Sequence, residues 1–186
     1  MHKDRDAALV NDCKRGDRRA MSQLVSQYQR PVYNAAYRIL GNTDDAADTT
    51  QTVFLKVFEH IADYDPRFKF FSWVYRITIN ESLNQVKKRQ KQEPLDDSQV
   101  SPWQGPAEDL DSKWLCSRVQ GALMLLSADY RTVVVLKHIS GCSYKQISEI
   151  LQLPVKTVKS RLYSARQLMK KTLQNDASHN QGCGQS

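Results

Sequence analysis

The chain has 186 residues, 40% of them hydrophobic, with few glycines and prolines and a formal net charge of +7. That size fits one domain or two small ones, and the abundance of helix formers points to a mostly helical protein. No run of about 18 apolar residues is available to cross a membrane, and the opening Met-His-Lys-Asp-Arg-Asp has no signal-peptide core, so a cytoplasmic protein is expected. Cys13, Cys116, Cys142 and Cys183 lie far apart without CxxC pairing, and His2, His60, His138 and His179 share no ligand spacing. Reduced thiols are therefore expected, and no metal or other cofactor.

Residues 6–15 predict a short helix carrying Leu9, Val10 and Cys13, ended by Gly16. Asp17 is the expected cap of a second helix through Met21, Leu24, Val25 and Tyr28. Pro31 is expected to open a third, with Val32, Ala35, Ala36, Ile39 and Leu40, closed by Gly41. Thr43 or Asp44 caps a helix reaching about His60, with a core stripe of Ala47, Thr50, Val53, Phe54, Val57 and Ile61. Its other face aligns Asp48, Gln51, Thr52, Leu55 and Glu59 at three- and four-residue steps. On spacing alone this is an ordinary solvated face, with Leu55 as a weak sign of docking.

After the Asp65-Pro66 turn, a helix from about Phe70 to Lys91 places Phe70, Trp73, Val74 and Ile77 on its core stripe. Phe71, Tyr75, Asn80, Asn84 and the run Lys87-Lys88-Arg89 fall elsewhere, as exposed aromatics and polar groups. Asparagine offers both a donor and an acceptor and can read base edges, while the basic run can hold phosphates. Residues 92–113 contain three prolines and no helical period, and residues 91–113 carry 2 basic and 6 acidic side chains. They read as a flexible acidic linker, with Trp103 unusual in a spacer. Residues 1–90 carry 15 basic and 11 acidic side chains, and residues 114–175 carry 10 and 2, so two basic blocks flank the linker. This asymmetry favours a polyanionic partner.

A helical pattern resumes at Trp114 with Leu115, Val119, Ala122, Leu123 and Leu126. Ser127 caps a helix with Val133, Val134, Leu136, Lys137 and Ile139, ended by Gly141. Then Ser143 and Gln146 form a capping box for a helix with Ile147, Ile150 and Leu151. Pro154 stops it and leads into a second helix with Val155, Val158, Leu162 and Ala165 on one face. Lys156, Thr157, Lys159, Ser160 and Arg161 lie near its N-terminus, where a helix-turn-helix contacts base edges and phosphates. A surface helical hairpin with a solvated basic face is the competing reading. The expected architecture is all-α, two small helical domains on a tether: residues 1–91, a linker 92–113, residues 114–175, and a disordered tail 176–186.

Three stretches in order resemble one family, the extracytoplasmic-function sigma factors of the sigma-70 family. Asp45-Ala-Ala-Asp48-Thr-Thr-Gln51-Thr-Val-Phe54-Leu-Lys-Val-Phe58 resembles region 2.2. Phe70-Phe-Ser-Trp73-Val-Tyr-Arg76-Ile77-Thr-Ile-Asn80 resembles regions 2.3 and 2.4. Leu126 through Arg166, with Pro154-Val-Lys-Thr-Val-Lys-Ser-Arg161, resembles region 4.

The resemblance implies a sigma-2 domain that binds the clamp helices of the largest RNA polymerase subunit and opens the −10 element. It also implies a sigma-4 domain that binds the −35 element and the polymerase flap. By position, Asp48, Gln51 and Leu55 would meet the clamp. Asn80 and Asn84 would contact the unpaired −10 strand, with Lys87, Lys88 and Arg89 on its phosphates. Lys156, Thr157, Lys159, Ser160 and Arg161 would meet the −35 duplex. Thr49, Thr50 and Thr52 stand where Leu, Val and Glu are frequent in the family. Lys156 replaces a usual small residue, and Asn84 a common Asp.

The family also implies an anti-sigma factor, often membrane-bound, which would hold the protein at the inner membrane. No P-loop, HExxH or nucleophilic triad is present, so neither catalysis by the chain nor a small-molecule substrate is expected. A stand-alone helix-turn-helix regulator is the main rival, and it leaves residues 45–89 unexplained.

Overall fold

The computed structural model describes the backbone of residues 2–92 and 110–180, all of whose regular elements are helical. Trp103, most of the linker and Cys183 lie outside the described residues. The elements are α1 (His2–Lys14), α2 (Arg18–Leu40), α3 (Thr43–Glu59), a 3-10 turn (Ile61–Asp63) and α4 (Phe70–Gln92), then α5 (Leu110–Met124), α6 (Ala128–Val134), a π turn (Val135–Ile139), α7 (Tyr144–Leu151) and α8 (Val155–Asn180).

Local chemistry sets most boundaries. Gly16 takes φ +85 and its N–H reaches the Cys13 carbonyl, ending α1. The Asp17 carboxylate accepts from the Arg19 and Ala20 amides and starts α2. Pro31 does not open a new helix, contrary to expectation: α2 runs straight through it. A proline inside a helix costs about 3 kcal/mol. Here Leu24, Tyr28, Val32, Ala35 and Ile39 form one continuous buried stripe, and its burial offsets that loss. Gly41, at φ 72, closes α2 in the left-handed C-cap. Asn42, not Thr43 or Asp44, then caps α3, its Oδ1 accepting from the Asp44 and Asp45 amides at 2.9 and 3.0 Å. Those two acidic residues are left in the first turn, where they complement the helix dipole.

The first half closes over Val10, Cys13, Leu24, Tyr28, Val32, Val53, Val57 and Val74, with Trp73 packed at the edge as expected. α1 is pinned to this body by polar contacts. Tyr28 Oη and Gln27 Nε2 donate to the buried Asp6 carboxylate at 2.7 and 2.8 Å, and Lys14 Nζ donates to the Ala62 and Tyr64 carbonyls.

In the second half, α5 begins at Leu110, earlier than Trp114, and α8 continues through Asn180, past the expected boundary at 175. The expected capping box is formed: Ser143 N donates to Gln146 Oε1 at 2.9 Å and Gln146 N to Ser143 Oγ at 3.2 Å. Gln152 takes the left-handed conformation that ends α7, and the Pro154 carbonyl accepts the Val158 amide to start α8. Ile147, Ile150, Val158, Leu162 and Ala165 are all buried, so the helix-turn-helix is a packed unit. Cys13 and Cys142 are buried and Cys116 is half-buried.

The two helical domains do not lie apart. One core joins Ala35, Ile39, Tyr75 and Ile79 of the first half to Leu123, Leu126, Val134, Leu136, Ile147 and Ile150 of the second. Phe71 and Tyr75, expected on the open side of α4, are covered by this contact. Their rings stack at 4.2 Å, and Tyr75 is only 2% exposed. Helical periodicity could not reveal it, because the partner face is supplied by residues far along the chain.

Candidate nucleic-acid and partner interfaces

Among the described residues, outward faces on α3, α4 and α8 carry the side chains singled out in the sequence. On α3, Asp48, Gln51 and Glu59 are exposed, and Leu55 is 64% exposed with no apolar shelter. The helix core stripe, Val53, Phe54 and Val57, turns the other way and fixes the orientation. Ser26, Gln29, Arg30 and Tyr33 of α2 border Gln51 and extend the face into a shallow groove. Thr49 and Thr50 point inward, and the Thr50 hydroxyl donates to the Ala46 carbonyl at 2.6 Å. Of the three unusual threonines, Thr52 borders the outer face, Thr50 lines the groove beside Gln51, and Thr49 is buried.

On α4, Asn80 and Asn84 are exposed one turn apart, and Lys87 follows at the next helical step. Lys88, one turn after Asn84, is also exposed and borders that row. Arg89 points back to α3, where its guanidinium meets Asp45 Oδ2 at 2.6 Å. α4 thus offers two asparagines and Lys87 in a line, with Lys88 beside them and Arg89 engaged elsewhere.

On α8, Lys156, Lys159 and Ser160 are exposed and Thr157 is half-buried, all within the first two turns. Arg161 is held by Asp129 at 2.8 Å and stands at the edge of the group. The Tyr144 ring lies 5.7 Å from the Lys159 ammonium and 4.8 Å from that of Lys137, so α7 supports the basic face of α8.

The same face continues beyond the residues expected from sequence. Tyr163 is 66% exposed, and Arg166, Gln167 and Lys170 follow it outward. Their three- and four-residue spacing from Lys156 and Lys159 was the available signal. The Arg166 guanidinium donates to His138 Nε2 at 3.2 Å. Burial, then the nearby Arg166 and Lys137 charges, hold the His138 pKa below its ordinary value, which keeps it a neutral acceptor. Among the described residues no cluster of His, Cys, Asp or Glu could hold a metal ion, and no helix is long and apolar enough to cross a membrane.

A helical pair of domains, one with a solvent-facing row of asparagine and lysine and the other a basic helix-turn-helix, defines a nucleic-acid-binding transcription protein. Comparison with known families narrows this. The description "Sigma-70 region 2" matches residues 24–92, and "Sigma-70, region 4" matches residues 116–169. The ECF RNA polymerase sigma factor SigW of Bacillus subtilis is 32% identical over 179 residues, 89% of this chain and 95% of that protein. The ECF sigma factor SigE of Mycolicibacterium smegmatis is 37% identical over 177 residues, 88% of this chain and 66% of that protein. Among solved structures, CnrH in complex with the cytosolic domain of CnrY superposes at TM-score 0.73 with 25% identity, covering 92% of this chain and 98% of that one. The chain belongs to the extracytoplasmic-function sigma factors of the sigma-70 family.

Proposed function

We propose that the chain gives core RNA polymerase its promoter choice through three separate surfaces. The α3 face, with Asp48, Gln51 and Leu55, docks on the clamp helices of the largest subunit. Asn80 and Asn84 read the unpaired −10 strand, with Lys87 and Lys88 on its phosphates. Lys156, Thr157, Lys159 and Ser160 read and hold the −35 duplex, and Arg161 joins them once released from Asp129. The second domain, residues 114–175, also contacts the polymerase flap. The observation carrying this reading is the placement of these sets on separate, solvent-facing helices of a sigma-family fold.

The physical scheme needs no chemistry from the chain itself. Lysines on α8 supply salt-dependent phosphate binding, and a few side chains supply sequence choice. Extruding bases at the −10 element costs a few kcal/mol, which the pocketing of those bases offsets. Polymerase performs the catalysis, and by fixing the spacing of the two domains it turns two weak DNA contacts into one bivalent contact.

We also infer a protein antagonist of the anti-sigma class. CnrH was solved with the cytosolic domain of CnrY, and the RpoE of Bartonella quintana, alike in fold, was solved with the anti-sigma factor NepR. A membrane-bound antagonist would hold the protein at the inner membrane, and without it the protein works in the cytoplasm. Selection of genomic fragments by the reconstituted holoenzyme, followed by run-off transcription, tests the reading. Enrichment of a shared two-part motif supports it, and recovery of random fragments contradicts it.

A further inference from the structure

We infer that the cleft formed by α1, α2 and α4 with the turn before α7 is a binding site for a small organic cation, an ammonium group carried on an aromatic or branched apolar body. The cleft has a volume of about 460 Å³. Voids larger than a water molecule are few in a folded domain, and this one is in the range that takes a drug-sized molecule. None of the residues proposed to meet polymerase or promoter lines it, so neither the site nor its test depends on the sigma-factor reading.

Three features of the lining select the ligand, and the first is a buried anion. Asp6 is only 6% exposed, and its two carboxylate oxygens accept from Gln27 Nε2 and Tyr28 Oη at 2.8 and 2.7 Å. Both donors are neutral, and among the described residues no cation is ion-paired to Asp6. Burial, then the hydrogen bond to Asp6, push the Tyr28 pKa up, so its hydroxyl remains a donor to the carboxylate. A buried charge held by dipoles alone is costly, and an ammonium entering the cleft would supply the missing counter-charge through a charge-assisted hydrogen bond.

The second feature is an aromatic wall of Tyr28, Tyr64, Phe70 and Phe71. Phe70 stands edge-on to Tyr28 and Tyr64, with ring centroids 5.5 and 5.4 Å apart, and Phe71 stacks on Tyr75. Tyr64 Oη donates to the Phe68 carbonyl at 2.7 Å. The rings are held in place without a ligand, so little ordering is lost on binding. Aromatic rings beside a carboxylate favour a cation over an anion of the same shape. The third feature is a facing wall, Ser140, Gly141, Cys142 and Gln146, that adds no competing charge. Burial pushes the Cys142 thiol up to about 11, which keeps it neutral. Lys69 also lines the cleft, but it is exposed, and its long stem lets the ammonium stay in water at the mouth.

Titration of the full chain at fixed salt with phenethylammonium, phenethyl alcohol and phenylpropionate, followed by nuclear magnetic resonance, tests this with one body and three head groups. The amine should move the amide signals of Asp6, Ala7 and Cys142 and bind about tenfold more tightly than the alcohol, with phenylpropionate weaker than either. Asp6→Asn keeps an acceptor for Tyr28 and should bring the amine down to the alcohol's affinity. Should that variant lose its helical circular dichroism, Ala7→Trp, at an exposed position of the lining, should fill the cleft and weaken amine and alcohol alike. Equal binding of the three compounds, a preference for phenylpropionate, or an amine affinity that neither folded variant changes overturns the inference. Absence of binding by all three at about 10 mM overturns it as well.

Discussion

At the residue scale, the outward side chains divide into free and engaged groups, and the division predicts their separate effects. Lys159 is exposed at the start of α8, with the Tyr144 ring beside its ammonium. Lys159→Ala should lower promoter binding by holoenzyme uniformly across −35 sequences, and should reduce the slope of log affinity against log salt by about 1, read in a salt titration. Arg161 is tied to Asp129, which is itself 57% exposed. An exposed pair contributes about 0–1 kcal/mol to stability. Asp129→Ala should therefore change thermal stability little while strengthening promoter binding, because Arg161 becomes available to phosphate.

The His138–Arg166 contact predicts a pH effect. His138 has its folded-state pKa lowered by burial and by neighbouring cations. The folded state thus resists a proton that the unfolded chain accepts. The contribution is fully present above the ordinary histidine value of about 6.5 and declines as pH falls below it. Melting temperature measured from pH 7.5 to 5.5 should fall more for wild type than for His138→Gln, which keeps an acceptor but does not titrate.

At the scale of elements, caps and stripes explain both the agreements with sequence and the departures. The Ser143/Gln146 box was legible because its spacing is short and local, and Ser143→Ala should cost about 1 kcal/mol, read by chemical denaturation. Gly41 was legible as a helix stop, but its second constraint was not. A Cβ there would sit 2.7 Å from Met124 Sδ, across the domain interface. The methionine tip can move, so most of the penalty for Gly41→Ala comes from φ 72, about 1 kcal/mol or more.

The continuity of α2 through Pro31 was missed because a proline is a local stop signal, whereas the stripe that overrides it spans both sides of the residue. The α3 face was readable as a face but not as a docking site, since exposed polar residues at helical spacing are common. The docking role proposed for it came from the resemblance, and its exposure from the structure. Asp48→Ala with Gln51→Ala should weaken retention of the chain on core polymerase, measured by co-purification, and leave the fold unchanged.

At the scale of the whole molecule, the chain is two helical domains whose contact was invisible in one dimension. Phe71 and Tyr75 looked like spare aromatics because the face that covers them begins more than forty residues later. Arg131 looked like part of a family motif, yet it joins four carbonyls across both halves. The basic helix-turn-helix, read in the sequence against a surface helical hairpin, is in the proposed function one of two weak DNA contacts. On that proposal, promoter choice belongs to the assembly rather than to α8 alone.

Run-off transcription with purified core polymerase, this chain and a selected promoter fragment tests that claim most directly. The account predicts specific transcripts only when chain and polymerase are both present, with weak binding of the chain alone to the same DNA. Tight, sequence-specific duplex binding by the free chain, with no stimulation of core polymerase, would contradict it.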